Sequence, residues 1–146
     1  VLVEIDEIIE TELPDPKTLP CKISSITYLS MDVIEVALRL PPSAVYSFLP
    51  GQYVEIIGIG GVRRSYSMAN HDASQKRIVL HIKRVPDGQM SKYWFEEAKQ
   101  DDLLRLKGPL GTFFLRDTQN KDLVFFVRHH SSRNKIFRLQ IDVGSI

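Results

Sequence analysis

Residues 64–67 read Arg-Ser-Tyr-Ser, with Arg63 before them and Met68, Ala69 and Asn70 after. On an extended strand, side chains alternate between faces, so Arg64 and Tyr66 share one face and Ser65 and Ser67 the other. A cation suited to phosphate oxygens then stands beside a flat ring suited to stacking, with hydroxyls and strand backbone alongside. A blander reading uses the same residues: Arg63 and Arg64 solvated, and Tyr66 a half-buried strand tyrosine.

A flavin dinucleotide would need a cation for its diphosphate, a flat partner for its ring system and a hydrogen-bonding group near its reactive ring nitrogen. Arg64, Tyr66 and Ser67 offer these within four residues. A second stretch, Asp87–Ser91 (Asp-Gly-Gln-Met-Ser), is a glycine turn running straight into a helical pattern. The first-turn amides of a helix lack internal partners and attract anions, Gly88 permits close approach and Ser91 adds a hydroxyl. By itself the stretch is better read as an ordinary helix start, since glycine-turn starts are frequent; beside Arg64 it becomes a second phosphate-seeking group.

Two further turns, Leu49–Tyr53 (Leu-Pro-Gly-Gln-Tyr) and Lys107–Phe114 (Lys-Gly-Pro-Leu-Gly-Thr-Phe-Phe), bring backbone close to something. Gly58–Gly61 is not a dinucleotide fingerprint, because no helix pattern follows it. His129 and His130 are adjacent, so their side chains diverge on a strand, and no carboxylate or thiol lies at ligand spacing; no metal site is expected. His81 lies on a strand between apolar Leu80 and Ile82.

The elements that must position these groups are mostly strands. Ile34, Val36, Leu38 and Leu40 alternate with Glu35, Ala37 and Arg39, the period of a sheet with one buried face. Residues 52–58 and 77–85 repeat that style between Gly and Pro punctuation, and residues 122–127 form a short apolar strand. Met90, Tyr93, Trp94 and Ala98 fall at helical spacing, predicting the one substantial helix. Short strands with one late helix predict a mainly β fold, an antiparallel barrel capped at one end by that helix.

The chain has 146 residues, 43% of them hydrophobic, and a formal net charge of +1. That length suits one core, and the near balance of charge argues against a nucleic-acid-binding surface. Residues 1–20 are acidic and proline-containing, and read as a linker or arm; the stretch after Val127 is basic. The single cysteine, Cys21, excludes an internal disulfide and suits a reducing compartment, so a cytoplasmic location is expected, without membrane association. The absence of an initiator methionine suggests a processed or excised piece.

Taken in order, the motifs Pro50–Tyr53, Arg64–Ser67, Gly88–Ser91 and Gly108–Phe113 resemble the FAD-binding domain of the ferredoxin–NADP reductase superfamily. The resemblance is nearest to its iron–sulfur flavoenzymes typified by CDP-6-deoxy-glucoseen reductase, and covers roughly residues 19–127. It implies a six-stranded antiparallel Greek-key β-barrel with one capping α-helix. Arg64, with Ser65 beside it, would bind the flavin diphosphate. Tyr66 would stack on the isoalloxazine and Ser67 would lie near its N5, which makes those two the catalytic candidates. The strand carrying His81, Ile82 and Lys83 would pass beside the cofactor, Gly88, Gln89, Met90 and Ser91 would hold the phosphates, and Phe113 would pack inside the barrel.

FAD is favoured over FMN. Complete members of this group also carry a ferredoxin-like domain with a 2Fe-2S cluster and a carboxy-terminal NAD(P)H-binding domain. Neither is present, so residues 1–20 read as a linker from a lost or separate ferredoxin domain, residues 21–127 as the flavin barrel and residues 128–146 as a divergent tail. Read one nucleotide out of frame, codons for residues 127–135 can encode a damaged form of the missing nucleotide-binding motif, so descent from a frameshifted gene is a hypothesis that the coding DNA tests. The expected activity is that of an FAD-dependent NAD(P)H oxidoreductase, inactive or partner-dependent as an isolated chain, with iron–sulfur and nicotinamide domains supplied by a partner. The alternative is a non-catalytic flavin-binding or barrel protein whose tail (Ile136, Leu139, Ile141 and Val143 in partial alternation) adds a strand to an exposed edge, as in a homodimer.

Overall fold

The computed structural model of the chain describes residues 12–70 and 76–114, and the backbone of 123–127 and 135–139. Strand β1 (Lys17–Tyr28) is long enough to serve two neighbours: its first half pairs with β6 (Leu103–Leu110) and its second with β2 (Val33–Arg39). A register shift between Ile23 and Ser25 marks the change. Strand pairing thus begins at Lys17, inside the stretch read as linker, because Pro20 costs only one of the backbone N–H groups along the strand.

Strands β3 (Tyr53–Ile57), β4 (Arg63–Ser67) and β5 (Arg77–Lys83) complete a six-stranded antiparallel sheet in the order β4-β3-β6-β1-β2-β5. Insertion of β6 between β3 and β1 is the Greek-key feature. The sheet curls until its two ends meet at one isolated bridge, Met68 to Leu80, reinforced by the Ala69 N–H donating to the Val79 carbonyl at 2.7 Å. The predicted mainly β, six-stranded antiparallel barrel is therefore the observed fold, with its closure nearly complete.

In β2 the expected row of Ile34, Val36 and Leu38 is fully buried, and Ala37, expected on the other face, is buried as well. The row packs with Ile23, Val54, Ile56, Ile78, Leu80 and Leu106 in one core cluster. Above it lies a helix shorter than its spacing predicts: α1 (Gln89–Lys92) is four residues, and Tyr93–Glu97 continues as a π-helical turn. The wider turn puts three consecutive aromatics, Tyr93, Trp94 and Phe95, into the interior, where regular helical spacing had assigned only the first two.

Gln52, 2% exposed, ties two of the turns together: its Oε1 accepts the Leu49 N–H at 2.8 Å and its Nε2 donates to the Gly111 carbonyl at 3.0 Å. Gly51, at φ +101°, brings its α-carbon so close to that second turn that a Cβ would lie 2.6 Å from the Phe113 carbonyl oxygen. Here one expectation is corrected. The Phe113 ring is 81% exposed rather than packed inside, because its backbone, not its ring, abuts Gly51.

The chain divides into two compact units, Val1–Leu115 and Arg116–Ile146. In the second, β7 (Leu123–Val127) pairs antiparallel with β8 (Lys135–Leu139), from Leu123 opposite Leu139 to Val127 opposite Lys135. The tail strand thus pairs with the neighbouring apolar run, as a short connection makes local pairing a cheap closure. His129, His130, Ile141 and Val143 lie outside the described residues. Among the described residues, no helix is long and apolar enough to cross a membrane, and no cluster of three metal-ligating side chains occurs.

Candidate functional site

Strand β4 differs from its neighbours in one respect. Each other strand of the barrel buries two or more side chains, whereas in β4 four of five are exposed and Tyr66 is half-buried. Its core-facing row runs Val62, Arg64, Tyr66, Met68. Met68 is buried in the core, Val62 and Tyr66 pack partly buried against it, and Arg64 between those two is exposed. An inward face left uncovered in its middle is a place for something other than protein.

The backbone of β4 is also open on one side. The Met68 N–H donates to the Gln52 carbonyl at 3.2 Å and the Gly58 N–H to the Val62 carbonyl at 2.9 Å. By antiparallel alternation the even-numbered residues turn their backbone groups to β3, and Arg63, Ser65 and Ser67 turn theirs to the opposite edge. Among the described residues no strand pairs along that edge before the Met68–Leu80 bridge.

The two arginines are not equivalent. Arg63 Nη1 lies 3.1 Å from Glu55 Oε1, an ion pair across the β3–β4 ladder. Arg64 has no carboxylate partner among the described residues; its Nη1 donates to the Arg63 carbonyl at 2.7 Å. Of the pair, Arg64 keeps its charge for an incoming anion. Tyr66 Oη accepts the indole N–H of Trp94 at 3.0 Å, with the rings edge to face. Burial pushes the Tyr66 phenol above its usual range, against opposing pulls from the Trp94 hydrogen bond and the Arg64 charge. It is a neutral phenol throughout the physiological range.

The helical segment is fastened once to β4 and once to the connection between β3 and β4. Trp94 meets Tyr66, and Met90 packs under Gly58, where an added Cβ would lie 2.6 Å from the methionine sulfur. The first intrahelical bond runs from the Lys92 N–H to the Gly88 carbonyl at 2.8 Å, so the amides of Gln89, Met90 and Ser91 have no acceptor within the helix. The Gly88 N–H is already used, donating to the Val85 carbonyl at 3.2 Å. Ser91 Oγ accepts the Val85 N–H at 2.8 Å, which leaves its own proton for another acceptor.

A groove of about 260 Å³ lies against this helix start, with Gly88, Gln89, Ser91 and Lys92 among its walls. Arg64 and Tyr66 are not among them. A larger apolar groove, about 430 Å³, lies by Cys21, Leu40 and Leu103 and contains none of the predicted site residues. Burial pushes the Cys21 thiol up to about 12.

Met90 is 4% exposed and offers an anion only its amide, and Gly88 offers space but not its N–H. Ile82 is 3% exposed and turned into the core, whereas His81 and Lys83 are exposed on the opposite face. His81 Nε2 is 3.3 Å from Glu35 Oε2 and Lys83 Nζ 3.9 Å from Asp32 Oδ2. Two residues missed in the sequence stand out: Trp94, which reads as plain core by spacing, and Gln52, whose neighbours in Pro-Gly-Gln-Tyr mark a turn without marking its buried amide.

The combination of a guanidinium without a carboxylate partner among the described residues, a half-covered phenol, an open strand edge and three amides without an acceptor in the helix suits a ligand with a flat ring and phosphates. Residues 20–115 match the family model described as the oxidoreductase FAD-binding domain. The chain is 46% identical over 109 residues to CDP-6-deoxy-L-threo-D-glycero-4-hexulose-3-dehydrase reductase of Yersinia pestis, covering 75% of this chain and 32% of that protein. Among solved structures, the ferredoxin reductase of carbazole 1,9a-dioxygenase superposes with a TM-score of 0.65 at 36% identity, over 69% of this chain and 31% of that one. Phthalate dioxygenase reductase, described as a modular structure for electron transfer from pyridine nucleotides to [2Fe-2S], gives 0.61 at 26% identity, over 68% and 32%. The chain therefore spans about a third of the length of the curated relatives it matches.

Proposed function

Because this chain belongs to the oxidoreductase FAD-binding domain family, we propose that it is the flavin lobe of a ferredoxin reductase-type electron-transfer system. It holds FAD between a nicotinamide nucleotide and an iron–sulfur acceptor, both supplied by a partner domain or protein. The reading is supported by the relatives' own descriptions as reductases and by their length, three times that of the matched region. The single observation that carries it is the uncovered middle of β4, where an exposed Arg64 and a half-buried Tyr66 stand between Val62 and the buried Met68.

When bound, FAD supplies the ability to take two electrons together and release them singly. The chain's own residues bind and orient it. Arg64 pairs with the diphosphate, a group FMN lacks, which is why FAD is preferred. Tyr66 gives its ring as a flat neighbour, and Ser67, with its backbone on the open edge, places a hydrogen-bond donor near the reactive ring nitrogen. Ser65 and the amides of Gln89, Met90 and Ser91 complete the polar surround, with Gly88 keeping the approach clear, while His81 and Lys83 border the site from β5 with Ile82 packed beneath them. A buried free thiol at Cys21 suits a reducing compartment, and the cytoplasm is the location this reading assigns.

The family match covers residues 20–115 of this chain, about a third of the relatives' length, and positioning of the hydride donor accounts for much of the rate in such transfers. The test is a preparation loaded with FAD and mixed with NADH in the absence of air. Slow bleaching of the flavin bands, made at least roughly a hundredfold faster by a nicotinamide-binding partner, is the expected result. Fast bleaching by the chain alone, or no acceleration by any such partner, would contradict the proposed division of labour.

A further inference from the structure

Trp94 is the one tryptophan of the chain and is 2% exposed. A buried indole N–H cannot turn to water and needs a protein acceptor. The acceptor here is Tyr66 Oη, at 3.0 Å, with ring centroids 6.2 Å apart and planes at 84°. Trp94 is itself held from behind. Its ring packs on Tyr93 at 5.1 Å, the Tyr93 hydroxyl donates to Asp102 Oδ2 at 3.0 Å, and that oxygen also accepts the Lys99 N–H at 3.0 Å. The Asp102 carbonyl in turn accepts the Ile23 N–H of β1 at 3.1 Å.

A relay of fixed groups therefore runs from the barrel wall through Asp102, Tyr93 and Trp94 to the phenol of Tyr66. Nothing on Tyr66's own strand offers comparable support, since Arg64, Ser65 and Ser67 are all exposed. An aromatic ring on a strand has two soft torsions, and its usefulness as a stacking face depends on their being set before the ligand arrives. We propose that Trp94 is a positioning residue for the flavin site: its indole N–H fixes the rotamer and plane of Tyr66, so that β4 presents a preset flat face to the isoalloxazine. This rests on the reading that Tyr66 neighbours the flavin ring. Arg64 and Ser67 bind by charge and hydrogen bonding and do not need the relay.

Two variants test it. Trp94→Phe keeps an aromatic ring in the core and removes only the donor, and Tyr66→Phe removes only the acceptor from a half-buried site. In the ¹⁵N-labelled free protein the single indole N–H resonance reads the bond without any flavin; in Tyr66→Phe it should move upfield and exchange faster. In Trp94→Phe the phenol loses a hydrogen bond that favours its ionised form, so the Tyr66 titration, followed by ¹³C at the ring, should move to higher pH. Trp94→Phe should weaken FAD binding roughly three- to tenfold with Tyr66 present, as expected for one hydrogen bond, and not at all in a Tyr66→Phe background.

An indole resonance unmoved by Tyr66→Phe overturns the positioning role, and because that variant leaves the core intact it decides the matter even if Trp94→Phe does not fold. An equal loss of FAD affinity in both backgrounds overturns it too, by showing that Trp94 acts as core alone. Failure of the parent protein to bind FAD would instead overturn the functional reading on which the proposal rests, whatever the indole signal shows, so the two failures are separable.

Discussion

Arg63 and Arg64 are neighbours of identical chemistry, and their surroundings give them different work. Arg63 is spent on Glu55, so Arg63→Ala should leave FAD affinity within about twofold, the scale of an exposed ion pair. Arg64→Ala removes a charge-assisted phosphate contact of about 1.5–3 kcal/mol, a loss of roughly 10- to 150-fold in affinity that a fluorescence titration would resolve. Cys21 gives a pH dependence. Burial holds its thiol at about 12 against an ordinary value of 9.0, so above pH 9 the unfolded chain gives up a proton that the folded one keeps. Stability is then fully present below pH 9 and falls through the window from 9 to 12, and urea melts at pH 8 and 10 should show Cys21→Ala losing less than the parent over that interval. The pairing of Arg64 with Tyr66 was legible in the sequence because it depends only on strand alternation. The Trp94 bond was not, since its partners are 28 residues apart and belong to different elements.

At the scale of elements, β2, β3 and β5 were readable because one face of each is buried and period-2 alternation is what burial imposes. The helix was read too long. Its apolar positions fit regular spacing up to Trp94, and the π turn that also buries Phe95 leaves no mark in a pattern of hydrophobic residues. The inward packing of Phe113 failed for a related reason: a glycine turn announces close approach of backbone without saying which atoms approach. Gly51 makes that approach concrete. With φ at +101° and the Phe113 carbonyl oxygen 2.6 Å from any added Cβ, Gly51→Ala should cost roughly 2–3 kcal/mol. Chemical denaturation would show it as a lower midpoint at unchanged slope. FAD affinity measured well below the midpoint should be unchanged, since Gly51 lies in the turn that Gln52 ties to Gly111 and not on β4 or α1.

One nearly closed barrel accounts for the described residues between Lys17 and Leu110, and among them a weak seam falls where β4 meets β5. A barrel loses its edges only when every strand is paired on both sides; among the described residues this one leaves part of β4 unpaired and half-uncovered. A ligand bound along that edge should therefore stabilise the barrel by mass action, with saturating FAD raising Tm in proportion to the logarithm of its concentration. The order of the four motifs made the family legible, while the β7–β8 hairpin was not, because alternation in the tail says that a strand exists but not which strand it joins. The central claim is that Arg64 and Tyr66 on β4, with the start of α1, form a site for FAD. The most direct measurement is titration of the flavin-free chain with FAD, read through quenching of Trp94 fluorescence and repeated with FMN and with Arg64→Ala. The account predicts saturation at one FAD per chain, weaker binding of FMN, and a loss of at least about tenfold in the variant. Absence of FAD binding, or equal affinity in Arg64→Ala and parent, would contradict it.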